Sequence, residues 1–333
     1  MRILKLFIVA LLAGSAFFLT GCSDSKNHIV SFMHANINCS DLEQSRSFYE
    51  MLGFTPVVEG DSEATAEFAA ALEMPPYELR FVQMLSKDGS LIDLIEWEDP
   101  FDASAPYASI NHLGIAHLTL QTSNLDADIS ILRAHGVAFF SGPAVVDNSL
   151  ESKRFVCFKD PDGTIIELAE TAGFGTTTDS SIHITGIMNV NINCSDYFQS
   201  RLFYENLGFK VLTEIETEGT PEVAAAMGTS SFNVRGALME LRRKGPTLSL
   251  LKWQEPYDDS APYSQLNHLG LARIALMSTD LDADIASLKA EGVEFFSDPA
   301  TPEKPLAFLR FVCLKDPDGT VIELVELFPK MKP

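Results

Sequence analysis

Basic residues are scarce in this chain. Its 333 residues include 24 Lys and Arg against 46 Asp and Glu, a formal net charge of −22. Nucleic-acid binding runs on neutralising phosphates with Lys and Arg, so this balance speaks against it. It also speaks against polybasic attachment to an anionic membrane surface. The N-terminal apolar run, Leu6 to Leu19, is 14 residues long and falls short of the roughly 20 that a spanning helix needs. A Gly-rich phosphate loop and a Gly-x-Ser-x-Gly elbow are both missing, so those two chemistries have no carrier. Cysteine is sparse, five in all, and its spacing matches no zinc pattern. What remains is 46% hydrophobic and 21% charged, a globular composition. At roughly 100–200 residues per domain the length predicts two domains.

Arg2 and Lys5 precede the apolar run, which ends in Leu19-Thr20-Gly21-Cys22. This resembles the lipobox of bacterial lipoproteins. The resemblance implies a signal peptide over 1–21, lipid on Cys22, and a chain anchored to the cell envelope without spanning it. Ser23 after the Cys implies the outer membrane, on its periplasmic side. Four cysteines then remain, Cys39, Cys157, Cys194 and Cys313. In an oxidising compartment they form two disulfides or stay as free buried thiols.

The rest of the chain is written twice. Asn36-Ile-Asn-Cys-Ser-Asp41 recurs at 191–196, Ser104-Ala-Pro-Tyr107 at 260–263, Asn111-His-Leu-Gly114 at 267–270, and Lys159-Asp-Pro-Asp-Gly-Thr164 at 315–320. The copies run over 28–172 and 183–328, with a linker at 173–182. Each copy splits again. Val30–Asn38 and Gly114–Thr122 read as strands. Each passes through an Asp-containing turn into a helix, Leu42–Leu52 and Leu125–Gly136. β-rich runs follow each helix: 54–59, 77–85 and 91–97 in the first half, 138–141, 152–159 and 164–170 in the second. The half-copy pattern is strand, helix, three strands. Ala64–Leu72 reads as a surface helix or a lid.

Phe-Tyr-x-x-Leu-Gly-Phe after the first helix and Asp-Pro-Asp-Gly-Thr-x-Ile-Glu-Leu near the end of each copy resemble the vicinal oxygen chelate superfamily. That superfamily includes glyoxalase I, extradiol dioxygenases and bleomycin-resistance proteins. The resemblance implies an α+β fold of two tandem domains, each a pair of βαβββ modules forming an open cup. It implies a divalent metal (Fe, Mn, Ni or Zn) held by strand residues, and a small oxygen-bearing substrate chelated in the first domain. It leaves open a glyoxalase-like lyase, a dioxygenase, or a ligand-sequestering protein of the resistance type, as a monomer or homodimer. The family's ligand positions fall on His34, Asp93, His117 and Glu167, with Asp93 the least secure because Asp reaches less far than Glu. Glu96 alternates to the opposite face of its strand. Two imidazoles and a carboxylate make a set with open coordination positions.

The second copy has Asn189, Ser249 and Arg273 at the first three positions and keeps only the carboxylate, Glu323. Arg273 beside Glu323 suggests a guanidinium standing in for a metal. Pairing of modules within a copy is the intrachain arrangement that completes a metal site, and it is the expected one. The alternative joins His34 and Asp93 to Arg273 and Glu323, and His117 and Glu167 to Asn189 and Ser249, with one His per cup. His112 and His268 recur in both copies and read as turn or core residues. Trp97, Phe101, Tyr107, Trp253, Tyr257 and Tyr263 are candidate cup walls, with packing as the default.

Overall fold

The computed structural model describes residues 27–147, 152–171, 181–302 and 306–328. The leader and Cys22 lie outside them. Four modules follow one another. The first is β1 (Ile29–Asn38), α1 (Leu42–Met51), β2 (Thr55–Glu63), the short α2 (Ala66–Ala70), β3 (Glu78–Leu85) and β4 (Leu91–Asp99). The second is β5 (Gly114–Thr122), α3 (Leu125–Ala134), β6 (Ala144–Asp147), β7 (Ser152–Lys159) and β8 (Ile165–Thr171). The third is β9 (Ile184–Asn193), α4 (Tyr197–Asn206), β10 (Lys210–Glu218), α5 (Pro221–Met227), β11 (Asn233–Glu240) and β12 (Thr247–Glu255). The fourth is β13 (Gly270–Ser278), α6 (Leu281–Ala290), β14 (Leu309–Lys315) and β15 (Val321–Leu327). The run at 138–141 supplies only an isolated bridge at Phe139, and the pairing strand starts after Pro143 at Ala144. The fourth module has two strands after its helix among the described residues, with Phe295 and Ala300 as isolated bridges.

Local chemistry sets the module. Asp41 caps α1 by accepting from the Gln44 amide, and Asp196 caps α4 in the same way. In the Asp-Pro-Asp-Gly-Thr turn, Asp160 Oδ1 accepts from the amides of Asp162, Gly163 and Thr164 at 2.8–3.1 Å. Gly163 holds φ at +105°, where a side chain would be strained. Tyr49 of α1 donates to the other oxygen of Asp160 at 3.1 Å, and Tyr204 donates to Asp316 at 3.0 Å. The Phe-Tyr and Asp-Pro-Asp-Gly motifs of each copy are therefore one buried contact.

The strands form two curled sheets. One has the order β14-β15-β13-β1-β4-β3-β2, the other β10-β11-β12-β9-β5-β8-β7-β6. This corrects the expected pairing. The first module shares a sheet with the fourth, through an antiparallel β1–β13 seam. The second shares a sheet with the third, through an antiparallel β5–β9 seam. The loop at 100–113 carries the chain from one sheet to the other, and the loop at 256–269 carries it back. The second and third modules, consecutive in the chain, share one sheet, as chain neighbours usually do; the expected linker at 173–182 lies largely outside the described residues.

These loops carry the Ser-Ala-Pro-Tyr and Asn-His-Leu-Gly repeats, and they latch the copies together. Asn38 donates to the Leu266 and His268 carbonyls at 2.6 Å and accepts from Trp97 Nε1 at 3.1 Å. Asn193 repeats this with Ile110, His112 and Trp253. Tyr107 and Tyr263 stack at 4.0 Å, and each hydroxyl accepts the other's backbone amide. His112 and His268 close the stack from outside at 3.9 and 4.0 Å. One apolar core, with residues of all four modules, lies on the helix-bearing sides of the sheets; a smaller cluster fills the hollow of each sheet. Cys39, Cys157, Cys194 and Cys313 are free and buried, so thiols and not disulfides occupy those sites.

Candidate functional site

The hollow of each sheet is a cup. Cup A belongs to the first and fourth modules, cup B to the second and third. Strand alternation aims every family-position residue inward, because those residues share one face of adjacent strands. His34 and Asp93 therefore meet Arg273 and Glu323 in cup A. His117 and Glu167 meet Asn189 and Ser249 in cup B. The structure does not bring His34 together with His117 and Glu167; they lie in different sheets.

Cup B encloses a cavity of about 330 Å³. Its wall is mostly apolar, with Met188, Met227, Phe232, Leu238, Leu251 and Trp253. Met227 comes from α5, whose N-cap Thr220 and C-terminal Gly228 set its length. The polar end of the cavity is Glu167, His117 and Lys153. Lys153 Nζ lies 2.5 Å from Glu167 Oε1 and His117 Nε2 lies 3.4 Å from Glu167 Oε2. Glu167 is 1% exposed. Burial by itself raises its carboxyl; Lys153 and His117 outweigh that and hold it down at about 2. His117 Nδ1 has no hydrogen-bond partner within the protein, and Nε2 faces only Glu167. On the adjoining strand β9, Asn189 accepts from Thr247 at 2.7 Å.

Lys153 is the residue that motif reading missed. Its signal was alternation. Arg154, next in β7, points outward to Asp126 and Glu170, so Lys153 has to point inward. Arg310 repeats Arg154 in the second copy, pairing with Asp282 and Glu326, and Leu309 stands where Lys153 does. A Lys in one copy matched by a Leu in the other marks a charge wanted in one cup only.

Cup A is polar on its floor. His34 Nε2 lies 3.5 Å from Asp93 Oδ2, and Gln83 Nε2 donates to the same oxygen at 3.2 Å. Arg273 Nε donates to Glu323 Oε2 at 2.8 Å with both side chains buried. Burial raises the Asp93 carboxyl, opposed by His34, Gln83 and Arg273. Glu96 faces away from the cup and pairs with Arg80 at 3.1 Å. Around this floor pack Tyr77, Phe81, Trp97, Phe311 and Cys313.

Neither cup offers a good metal cradle. A divalent ion usually takes three or more protein donors. Among the described residues no group of three or more His, Cys, Asp or Glu could hold one. In cup B the donors are His117 and Glu167, and the Glu167 carboxylate already carries an ammonium. In cup A a guanidinium stands on Glu323.

The match to known proteins agrees with the fold. The model of the Glyoxalase/Bleomycin resistance protein/Dioxygenase superfamily matches residues 28–168 and 183–324. The chain belongs to that family. A Bacillus subtilis relative, the uncharacterized protein YwkD, is 34% identical over 143 residues, covering 42% of this chain and 96% of its own. Glyoxalase I from Zea mays has 18% identity with a TM-score of 0.58, over 89% of this chain and 92% of its own. A candidate dioxygenase from Bacillus subtilis has 13% identity and a TM-score of 0.59, over 91% of this chain and 87% of its own. At these identities the structures speak for the fold alone.

Proposed function

We propose that the protein binds a small, mainly apolar, oxygen-bearing molecule in cup B without a metal. The observation that carries this reading is the Lys153–Glu167–His117 cluster at the polar end of an apolar cavity of about 330 Å³. Pockets of this kind take most of their affinity from apolar walls and their orientation from a few polar groups. Lys153 holds Glu167 Oε1, an oxygen that a metal ligand would need free. An ammonium cannot chelate, but it donates to one oxygen of a ligand while Glu167 keeps it in place. His117 supplies a second polar contact. The lipobox-like leader adds that this ligand is met in the cell envelope.

A second reading is favoured by the free Nδ1 of His117. An imidazole with an ionised carboxylate at 3.4 Å is placed to take a proton from a bound molecule and hold it. Both readings share one test. The chain lacking Cys22, purified without chelator, is expected to carry no stoichiometric metal by mass spectrometry. It is expected to bind 8-anilinonaphthalene-1-sulfonate with quenching of Trp253, and Lys153→Met and His117→Ala are expected to weaken that binding. A metal at one per chain, lost in His117→Ala, would sink the metal-free reading.

A further inference from the structure

Cup A contains more buried polarity than the protein satisfies from within. Asn36 is fully buried, and neither its Nδ2 nor its Oδ1 has a partner within the protein. The same holds for His34 Nδ1, Gln83 Oε1, Asp93 Oδ1 and Arg273 Nη1. These atoms are neighbours. Asn36 pairs in register with Arg273 on one side and Asp93 on the other, and Asp93 pairs with Gln83. Unpaired polar groups in a folded interior are costly and rare, so a group of them on one floor calls for a partner.

The other copy shows what a satisfied version looks like. Asn191 sits at the equivalent place in cup B, and its Nδ2 donates to Thr119 Oγ1 at 2.9 Å. In cup A the matching residue is Ala275, which has no hydroxyl. The position opposite Asp93 differs as well: Gln83 lies there in cup A, and Leu238 lies opposite Ser249 in cup B. Cup A has gained a polar amide and lost the internal partner of another.

The free atoms sort by chemistry. Asn36 Oδ1, Gln83 Oε1 and Asp93 Oδ1 accept, Asn36 Nδ2 and Arg273 Nη1 donate, and His34 Nδ1 does either according to its tautomer. A lone anion would add a negative charge beside Asp93 and Glu323 with only Arg273 to offset it. A lone cation would leave the Arg273 and Asn36 donors unpaired. A molecule with an ammonium at one end and a carboxylate at the other meets both sets without changing the net charge. The Asp93 and Arg273 side chains are each 10% exposed and Tyr77, Phe81, Trp97 and Phe311 pack around them, so a molecule that reaches them has to be compact. We propose that cup A binds a small zwitterion of the α-amino-acid type, its carboxylate on Arg273 Nη1 and Asn36 Nδ2 and its ammonium on Asp93 and Gln83.

The test uses the full chain lacking Cys22 and four probes, glycine, L-alanine, acetate and methylammonium, each at about 10 mM, where even millimolar dissociation constants register. Calorimetry and the fluorescence of Trp97 in a Trp253→Phe background are the readouts. Glycine and L-alanine are expected to give heat and a fluorescence change, and the two half-molecules little of either. Asn36→Ala and Arg273→Lys are expected to weaken glycine binding by roughly tenfold or more. Lys153→Met in cup B is expected to leave it unchanged, which separates this site from the cup B ligand. Ala275→Thr is the variant that keeps the fold safe: it gives Asn36 its internal partner and is expected to weaken glycine binding while raising the melting temperature. No binding of either zwitterion, acetate binding as well as glycine, or unchanged affinity in both Asn36→Ala and Ala275→Thr would each overturn the proposal.

Discussion

Cups A and B descend from the same repeat and solve one problem differently. Each contains a carboxylate buried in an apolar strand run, Glu323 or Glu167, and such a charge needs a cation. Cup A supplies it from the seam strand β13, as Arg273, bonded through Nε and enclosed by rings. Cup B supplies it from the outer strand β7, as Lys153, and leaves the seam position to His117. Placing the cation on the outer strand keeps the centre of cup B open. Placing it on the seam lines the centre of cup A with fixed charge. The difference between an apolar cavity and a polar floor follows in part from where one basic side chain is rooted, and in part from Gln83 standing where cup B has Leu238.

The largest expected effect tests the more enclosed pair. Arg273→Leu leaves Glu323 buried and unpaired, and chemical denaturation is expected to show a loss of about 3–5 kcal/mol. Arg273→Leu combined with Glu323→Leu is expected to recover most of it. If the double variant is no better than the single, the pair is not what the charge needs.

Lys153→Met is the matching change in cup B. It is expected to cost less, about 2 kcal/mol, because Lys153 stays partly in contact with water. Its pH dependence is the sharper readout. The Glu167 carboxyl is held near 2 against an ordinary 4.5, so its stabilisation is complete above pH 4.5 and is lost as pH falls toward 2. Unfolding curves across that window are expected to be flatter in Lys153→Met than in the parent chain.

Exchanging the seam hydroxyl gives a pair of opposite sign. Thr119→Ala removes the shorter of the two hydrogen bonds from Asn191 Nδ2, leaving the one to the His117 carbonyl, and is expected to destabilise by about 1–2 kcal/mol, whereas Ala275→Thr is expected to stabilise by about 1 kcal/mol. Equal signs in thermal unfolding would mean that the two seams are not equivalent.

The smallest effect concerns what the cups share. Burial raises the Asp160 and Asp316 carboxyls from 3.8 to about 6 despite their amide donors. The folded state then holds protons the unfolded state has released, so these groups reduce stability as pH rises from 3.8 to 6. Asp160→Asn keeps an acceptor for the turn amides and is expected to remove about half of that slope with little change in overall stability.

Much of this could be read from the sequence. The repeat blocks gave two copies and the half-copy pattern gave the modules, because strand and helix periods are local properties. The carboxylates Glu167 and Glu323 and the substitution at Arg273 were legible because a charge in an apolar strand run stands out. Which module shares a sheet with which was not legible. That choice is made at the β1–β13 and β5–β9 seams and in the loops at 100–113 and 256–269, where both pairings present the same inward faces. The role of the recurring Asn-His-Leu-Gly and Ser-Ala-Pro-Tyr blocks was hidden for the same reason: their partners lie in the opposite copy. Lys153 was missed because no motif contains it; only the inward turn of β7 beside Glu167 exposes it.

The crossed pairing has a consequence for how such a chain can change. In most duplicated proteins each copy drifts on its own account, one keeping the old task while the other is released. Here every cup has one wall from each copy, so neither copy owns a site, and a loss in one is inherited by a hollow that the other still furnishes. Cup A has His34, Asp93 and Glu323 at three of the four positions that the resemblance assigns to ligands, and Arg273 at the other. Arg273→His is expected to give that cup a stoichiometric divalent metal, measurable by mass spectrometry. Cup B would need changes at Asn189 and Ser249 and the removal of Lys153. The two hollows thus stand at unequal distances from the ligand set that the resemblance assigns, one step and three.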